Sequence, residues 1–521
     1  MAAWLLALSL LAFDSSGSNP AAQSLAHQID RQIAARLTEE HVEPAPRADD
    51  AELLRRLSLD LIGRIPTAAE VQAFLAESHP QKVCRLIDRL LADPQHARHF
   101  ARVWRALLLP EAVTDPRIAY FQPGFEAWLV ERRRQNAGFD AMVRELLTVP
   151  INRPDQNPEF VLRDMQRANP VAFLASKQAD PAKIATSCVR IFLGVRMECA
   201  QCHDHPFDRW TQRQFWSQAA FFAGLERRGR GPFAPITEAV DRHTIRMNDT
   251  DKMVPAALLD GTQIRTDEKK SPRLGFGEWL TARQNPYFAR AIANRVWGQL
   301  MGTGLVSPVD DFRESNPPTH PELLQILSND FATSGFDLTR LYRGICSSDA
   351  YQRTSGRKAT DKSRPELLAS MSIKRLSGDQ FFDSLSQAIG REWPEEAGQM
   401  ETGEQDTMRK KVIKAFGADD ESEHPKTSVS QALALMNGSL VNEAGDPQTS
   451  PRLKQTLAAF PKSAERQIDA LYLSTLSRHP SSAEAQMMVA HLEAASATER
   501  PRRLGDVLWV LLNSAEFRWN H

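Results

Sequence analysis

Two thiols and an imidazole within five residues set the chemical question for this chain. The stretch "RMECAQCHDHPFDRW", residues 196–210, holds Cys199, Cys202 and His203 in the C-x-x-C-H spacing of covalent c-type haem attachment. In that use the two thiols add across the porphyrin vinyl groups, and neutral His203 is the proximal ligand. The sixth ligand is not selected by the sequence: Met165, Met247, Met301, His243 and His320 are candidates, whereas Met197 is too near in sequence to reach the opposite face. A zinc-type site is the main rival, drawn from Cys199, Cys202, His203 and His205, with Asp204 and Asp208 beside them. Zinc sites usually split their ligands into two separated pairs, so this cluster would need a remote ligand. A redox dithiol or a plain disulfide is the third use of C-x-x-C.

Other chemistry is thinner. Asp310-Asp311 could serve as paired acid–base carboxylates or bind a hard cation such as calcium. The simpler expectation is that Asp311 pairs with Arg313 on the surface. His320, between Thr319 and Pro321, reads as a helix entry. G-x-S-x-G, Walker A, dinucleotide and H-E-x-x-H patterns do not occur.

The elements around the cysteines are helical. Asp180-Pro181 predicts a capped start, followed by Ile184, Cys188, Ile191, Phe192 and Val195 at helical spacing. After the motif, Thr211 and Gln214 form a capping box ahead of Phe215, Trp216, Ala219 and Phe222, with Gly224 expected to close that helix. The motif therefore sits in the connection between two amphipathic helices. Further helices are expected through Phe288, Ile292, Val296 and Leu300 to Gly302, and from Pro321 to about Phe331. Residues 225–275 are rich in turn formers, and "HTIRMN" suggests a small β element. "EEAGQMETGEQDTMRKK" and "GADDESEHPKTS" read as exposed loop.

The whole chain has 521 residues, enough for two or more domains. Its 64 basic and 65 acidic residues leave a net charge of −1, with no global drive toward nucleic acid. Arg132-Arg133-Arg134 and "ERRGRG" are expected on solvated faces. An apolar run from Ala2 to Phe13, followed by small and polar residues, predicts a signal peptide over 1–22 with cleavage near Ala22. No later segment is apolar enough to span a bilayer. Of five cysteines, Cys84, Cys188 and Cys346 sit in apolar helical patterns and are expected to be buried and inert. A weak internal echo links "LSLDLIGRIPTAAEVQAFL" to "LYLSTLSRHPSSAEAQMMVAHL" through R-x-P-[ST]-x-x-E, and "ICSSDAY" to "LLNSAEF" through S-x-x-aromatic. It predicts recurring helix–turn–helix units capped by Thr67 with Glu70 and Ser481 with Glu484.

Longer stretches carry a family likeness. "RRLSLDLIGRIPTAAEVQAFLAES", "RLIDRLLADPQHARHFARVW" and "FLGVRMECAQCHDHPFDRWTQRQFWSQAAFFA" resemble the cytochrome-associated domain of unknown function (1549) of large exported planctomycete proteins. "NPYFARAIANRVWGQLMGTGLVSPVDDFRESNPPTHPELL" and its continuation, with "ALALMNGSLVNEA" and the closing "VLWVLLNSAEFRWNH", are similar to the surface domain of unknown function (1553) that follows it. The resemblance implies a mainly α protein of two helical domains joined by a short β-containing, Gly/Pro-rich segment: 23–225 carrying C-x-x-C-H, a linker or small β element over 226–275, and 276–521. It implies export to the periplasm or cell surface, and haem c on Cys199, Cys202 and His203; the residues themselves keep zinc as the alternative. Two functions follow as expectations. One is a redox or electron-transfer protein with a redox partner protein. The other is a surface binding or carbohydrate-processing protein, meeting a cell-surface component, whose Cys/His cluster is a structural staple.

Overall fold

A computed structural model describes residues 20–152, 168–231, 233–248, 250–263, 270–355, 364–391, 404–416 and 438–521. The apolar run at 2–13 and the "GADDESEHPKTS" stretch lie outside the described residues. Helices make up 60 % of the structure, and strands are confined to three two-stranded antiparallel pairs, which makes the protein mainly α.

The first described helix, Pro20–Glu39, buries Leu25, Ile29, Ile33 and Leu37 at a spacing of four residues. That stripe lies along Leu338–Cys346 and Pro321–Thr333. Gly344 permits the close approach: a Cβ there would stand 2.5 Å from Leu25 Cδ2. The expected cleavage point near Ala22 falls in the first turn of this helix.

Two apolar cores organise the chain. The larger runs from Leu25 to Met371, with Leu473 added, and takes side chains from both sides of the 226–275 segment. The smaller holds Leu376 to Phe517 and receives Leu59 and Ile65 from the amino-terminal half. The helix Asp50–Ile62 stands between them and supplies the polar contacts of the seam. Arg55 donates to the carbonyls of Thr475, Glu516 and Phe517 at 3.0–3.2 Å, and Arg56 donates to those of Tyr351 and Arg353 at 2.6 and 2.9 Å. Two consecutive arginines thus serve the carboxyl ends of the two S-x-x-aromatic turns. In each turn the serine, Ser348 or Ser514, caps the N–H of the aromatic residue. Asp60, one turn further on, accepts from Tyr351 Oη (2.8 Å), from Lys374 Nζ on both oxygens (2.7 Å) and from Asn520 Nδ2 (2.7 Å). Lys374 and Asn520 belong to strands Lys374–Arg375 and Trp519–Asn520, which pair beside it.

The internal echo has a structural counterpart. Thr67 with Glu70 and Ser481 with Glu484 form capping boxes, and Arg64 and Arg478 hold those glutamates at 3.0 and 2.9 Å. Gly63 and Ser477, equivalent positions in the echo, both take positive φ, 74° and 62°.

The 225–275 region forms two hairpins, Leu225–Arg227 with Ile236–Glu238 and Thr244–Arg246 with Met253–Pro255. Buried Glu238 ties it down, accepting from Ser271 Oγ and from Arg273, whose guanidinium also reaches the Leu147 and Val149 carbonyls. Four local expectations need correction. Gly224 does not close the helix Gln212–Ala220; it sits where a Cβ would run into the Ala239 carbonyl. Residues from Glu404 onward are not loop but a helix, Glu404–Phe416, laid against Gly378–Ile389 by Phe381 and Phe416. Arg133 is buried, donating to His96 Nε2 and Thr339, because its helix turns that one arginine inward. Cys84 is only partly buried, whereas Cys188 and Cys346 are fully so.

Candidate functional site

The helix Pro181–Cys188 starts as its sequence predicts, with Asp180 accepting from the N–H groups of Ala182 and Lys183. It widens into a π turn over Val189–Leu193 and stops at Gly194, whose φ of 69° only glycine adopts freely. The carbonyl of Gly194 accepts from Phe312 N–H at 2.9 Å. From there the chain alternates anchors with exposed groups: Val195, Met197, Ala200 and Trp210 are buried, while Cys199, Cys202 and His203 face solvent.

A 3₁₀ turn, Glu198–Gln201, carries Cys199, and Cys202 caps its end, its N–H reaching back to the Cys199 carbonyl at 3.4 Å. Both are free and exposed. His203 follows directly, its Nδ1 2.7 Å from the Asp204 carbonyl oxygen. A carbonyl can only accept, so Nδ1 carries the proton, and the tautomer this bond selects has its lone pair at Nε2, the arrangement a metal-ligating imidazole requires. Two exposed free thiols and an imidazole in that state are the donor set that covalent haem attachment uses. Phe207 beside them is 78 % exposed, a large apolar ring left in water.

The loop is held from behind by the next helix. Gln212 Nε2 donates to the carbonyls of Cys202 (2.9 Å) and Gln201 (3.3 Å), and its N–H to Asp204 Oδ1 (2.7 Å). Trp216 Nε1 donates to the Gln201 carbonyl at 3.1 Å, and His205 N–H to the Trp210 carbonyl at 2.8 Å. The Thr211–Gln214 capping box fixes the start of that helix as expected.

Beneath the loop lies a charge cluster that sequence reasoning missed. Asp310 accepts from Arg190 Nε at 2.7 Å and from Arg196 Nη2 at 2.6 Å, with Arg295 4.0 Å away. Burial works to raise the Asp310 pKa, but Arg190 and Arg196 outweigh it and hold the carboxyl below its ordinary value. With guanidinium groups on both oxygens, this carboxylate is a fastener for the loop. Asp311 pairs with Arg313 at 3.2 Å, the simpler of the two expectations. More than a hundred residues separate Arg190 from Asp310, so no local pattern could have linked them.

Other sequence candidates are dispersed. Met247 and Met301 are buried in the larger core, Met165 lies outside the described residues, and His320 stands at the start of Pro321–Thr333 beside Thr319. His243 is near the second hairpin. His205 receives the Phe207 N–H at Nδ1 rather than turning toward the thiols. Among the described residues, no three His, Cys, Asp or Glu side chains converge as a metal site. No helix among them is long and apolar enough to cross a membrane.

The family model described as PSCyt2, protein of unknown function (DUF1549), matches residues 28–227, and PSD1, protein of unknown function (DUF1553), matches residues 272–492. Neither curated proteins nor solved structures yield a match. The Asp310 fastener joins the two matched stretches, since Arg190 and Arg196 lie in the first and Asp310 in the second.

Proposed function

This chain belongs to the proteins that pair a PSCyt2 with a PSD1 domain, and on that premise we propose that it is an exported protein attaching one c-type haem through Cys199 and Cys202, with His203 as proximal ligand and a redox role. The supporting observation is the turn itself. Both thiols are free and exposed, three residues apart across one 3₁₀ turn and its cap, and the His203 Nδ1 bond to the Asp204 carbonyl leaves Nε2 for a metal. A bound haem would supply a reversible one-electron change. The chain's own part is to present the thiols without burying them, to fix the imidazole tautomer, and to keep the loop rigid through Gln212, Trp216 and Asp310.

The test is a pyridine haemochrome spectrum on protein exported alongside a c-type maturation system, after acid–acetone extraction. A c-type α-band that survives extraction and vanishes in Cys199→Ala/Cys202→Ala is the expected result. If a control cytochrome matures and this chain acquires no covalent haem, the reading fails. Metal analysis and thiol titration of that sample then separate a zinc site from a disulfide.

A further inference from the structure

A cleft of about 290 Å³ opens beside the motif loop, between the two matched stretches, at the lower end of the size of small-ligand sites. Its walls are aromatic: Trp210 from the first stretch, Tyr287 and Phe312 from the second. Two guanidinium groups lie over those rings, Arg209 above Trp210 at 4.8 Å and Arg290 above Phe312 at 5.0 Å. Among the described residues neither arginine has a carboxylate partner, although charged groups in this protein are otherwise widely paired. Trp210 is 97 % buried by its 3 % exposure, yet its Nε1–H has no acceptor, and the Nε–H of Arg313, also lining the cleft, has none either. Buried donors without partners are uncommon and costly. Every unmet polar group found here is a donor, so the missing partner is an acceptor.

Charge sets how much of one. Arg313 is paired with Asp311, which leaves Arg209 and Arg290 as the guanidinium groups of the cleft without a carboxylate partner among the described residues, and Asp208 and Glu314 are the acidic groups beside them. Asp208 already accepts from Arg209 N–H at 2.7 Å. Two guanidinium groups with two carboxylates close by suit a single negative charge and disfavour a multivalent anion such as a phosphate ester. The aromatic walls call for a flat or ring-shaped body to stack on them.

We propose that this cleft binds a small ring compound bearing one carboxylate, stacked on Phe312 and Tyr287 with its carboxylate held by Arg290, Arg209 and the Trp210 Nε1–H. An arene acid and a sugar acid share that chemistry. The site does not rest on the haem reading, and its test uses no haem.

The experiment is isothermal titration calorimetry on the full chain produced without c-type maturation, with benzoate, glucuronate, benzyl alcohol, glucose and acetate as probes. Binding of benzoate or glucuronate, with the neutral rings and acetate much weaker, is expected. Benzoate alone identifies an arene acid, glucuronate alone a sugar acid. Arg290→Gln, an exposed position at the cleft edge, should weaken the bound acid roughly tenfold or more, the scale of a lost charge-assisted bond. Trp210→Phe keeps a ring and removes the N–H, and should weaken it several-fold. If that buried substitution impairs folding, Arg209→Gln replaces it. The proposal is overturned if neither ring acid binds, if benzyl alcohol or glucose binds as tightly as its acid, if acetate matches both, or if Arg290→Gln changes nothing.

Discussion

The seam at Arg55, Arg56 and Asp60 and the loop at Cys199, Cys202 and His203 both concentrate polar side chains, and the protein treats them in opposite ways. At the seam the groups are buried and their partners lie far off in the chain: Arg55 reaches 420 residues away and Asp60 reaches 460. At the loop they are exposed and their partners are neighbours or backbone, as with His203 and the Asp204 carbonyl. A polar group whose bonds are completed inside the fold is there to hold the fold. One presented to solvent by a rigidly tied loop is available for something else. The cleft behind the loop is a third case, with buried donors on Trp210 and Arg313 that have no partner among the described residues.

The sharpest way to break that contrast is Asp60→Ala. It takes the carboxylate from buried Lys374, leaving it only the Gln299 and Leu300 carbonyls, and removes the Asp60 acceptor of Tyr351 Oη and Asn520 Nδ2. Removing one side of a buried ion pair costs about 3–5 kcal/mol, so denaturant unfolding should show a loss on that scale or separate melting of the two cores. An effect within about 0.5 kcal/mol, the range of ordinary surface changes, would mean the seam is not what joins them.

Acid should weaken the seam next. His99 is pushed down to about 4 by burial and then by Arg102, with Asp383 and Asp379 opposing, and it faces the same junction. His96, 3 % exposed, is pushed down to about 3 by burial and by Arg133, whose guanidinium donates to its Nε2. Both pKa values lie below the unfolded value near 6.5, so only the unfolded chain takes up these protons as pH falls. The stabilisation is complete above about pH 6.5 and declines toward pH 4, by about 1.4 kcal/mol per pH unit for each histidine. Asp379, whose carboxyl is held low by Arg105 and Arg409 against the cost of burial, gives way only at lower pH still. A melting temperature that falls between pH 6.5 and 4.5, and falls less in a His96→Gln/His99→Gln variant, is the expected result; a flat profile would contradict it.

Gly194→Ala perturbs the loop's support without touching its chemistry. The left-handed φ costs an alanine about 1–2 kcal/mol, and its Cβ would stand 2.5 Å from Phe312 Cδ2, on the wall of the cleft. Calorimetry should register both, as a lower melting temperature and as weaker binding of the ring acid.

Much of this was legible in the sequence for local reasons. Asp180-Pro181, Thr211 with Gln214 and Gly302 mark helix ends through their own side chains and φ angles, and the structure places them so. The C-x-x-C-H spacing and the two R-x-P-[ST]-x-x-E units are local as well. What could not be read was long-range pairing. Asp310 could be read as half of an acid pair or a cation ligand, and its arginine partners were invisible because Arg190 and Arg196 are distant in the chain; Arg133 looked like a solvated charge because nothing nearby announced His96 and Thr339. The cleft was illegible for the same reason, since Trp210 and Phe312 meet through long-range contacts such as Gly194–Phe312 and the Asp310 pairs.

The smallest expected effect is also the most direct reading of the contrast. Cys199→Ala/Cys202→Ala removes two exposed thiols that no side chain in the fold requires, so unfolding free energy should change by less than about 0.5 kcal/mol. Thiol titration of the native, reduced, haem-free chain should give two fast groups, absent in this variant, and a slower one from partly buried Cys84. Cys188 and Cys346, both at 0 % exposure and with thiol pKa values pushed up by burial, should react only on unfolding. If instead the double variant proved as costly as Asp60→Ala, the loop would belong with the seam, as part of what holds the fold. The thiols would then be structural groups, and no longer an attachment point presented to solvent.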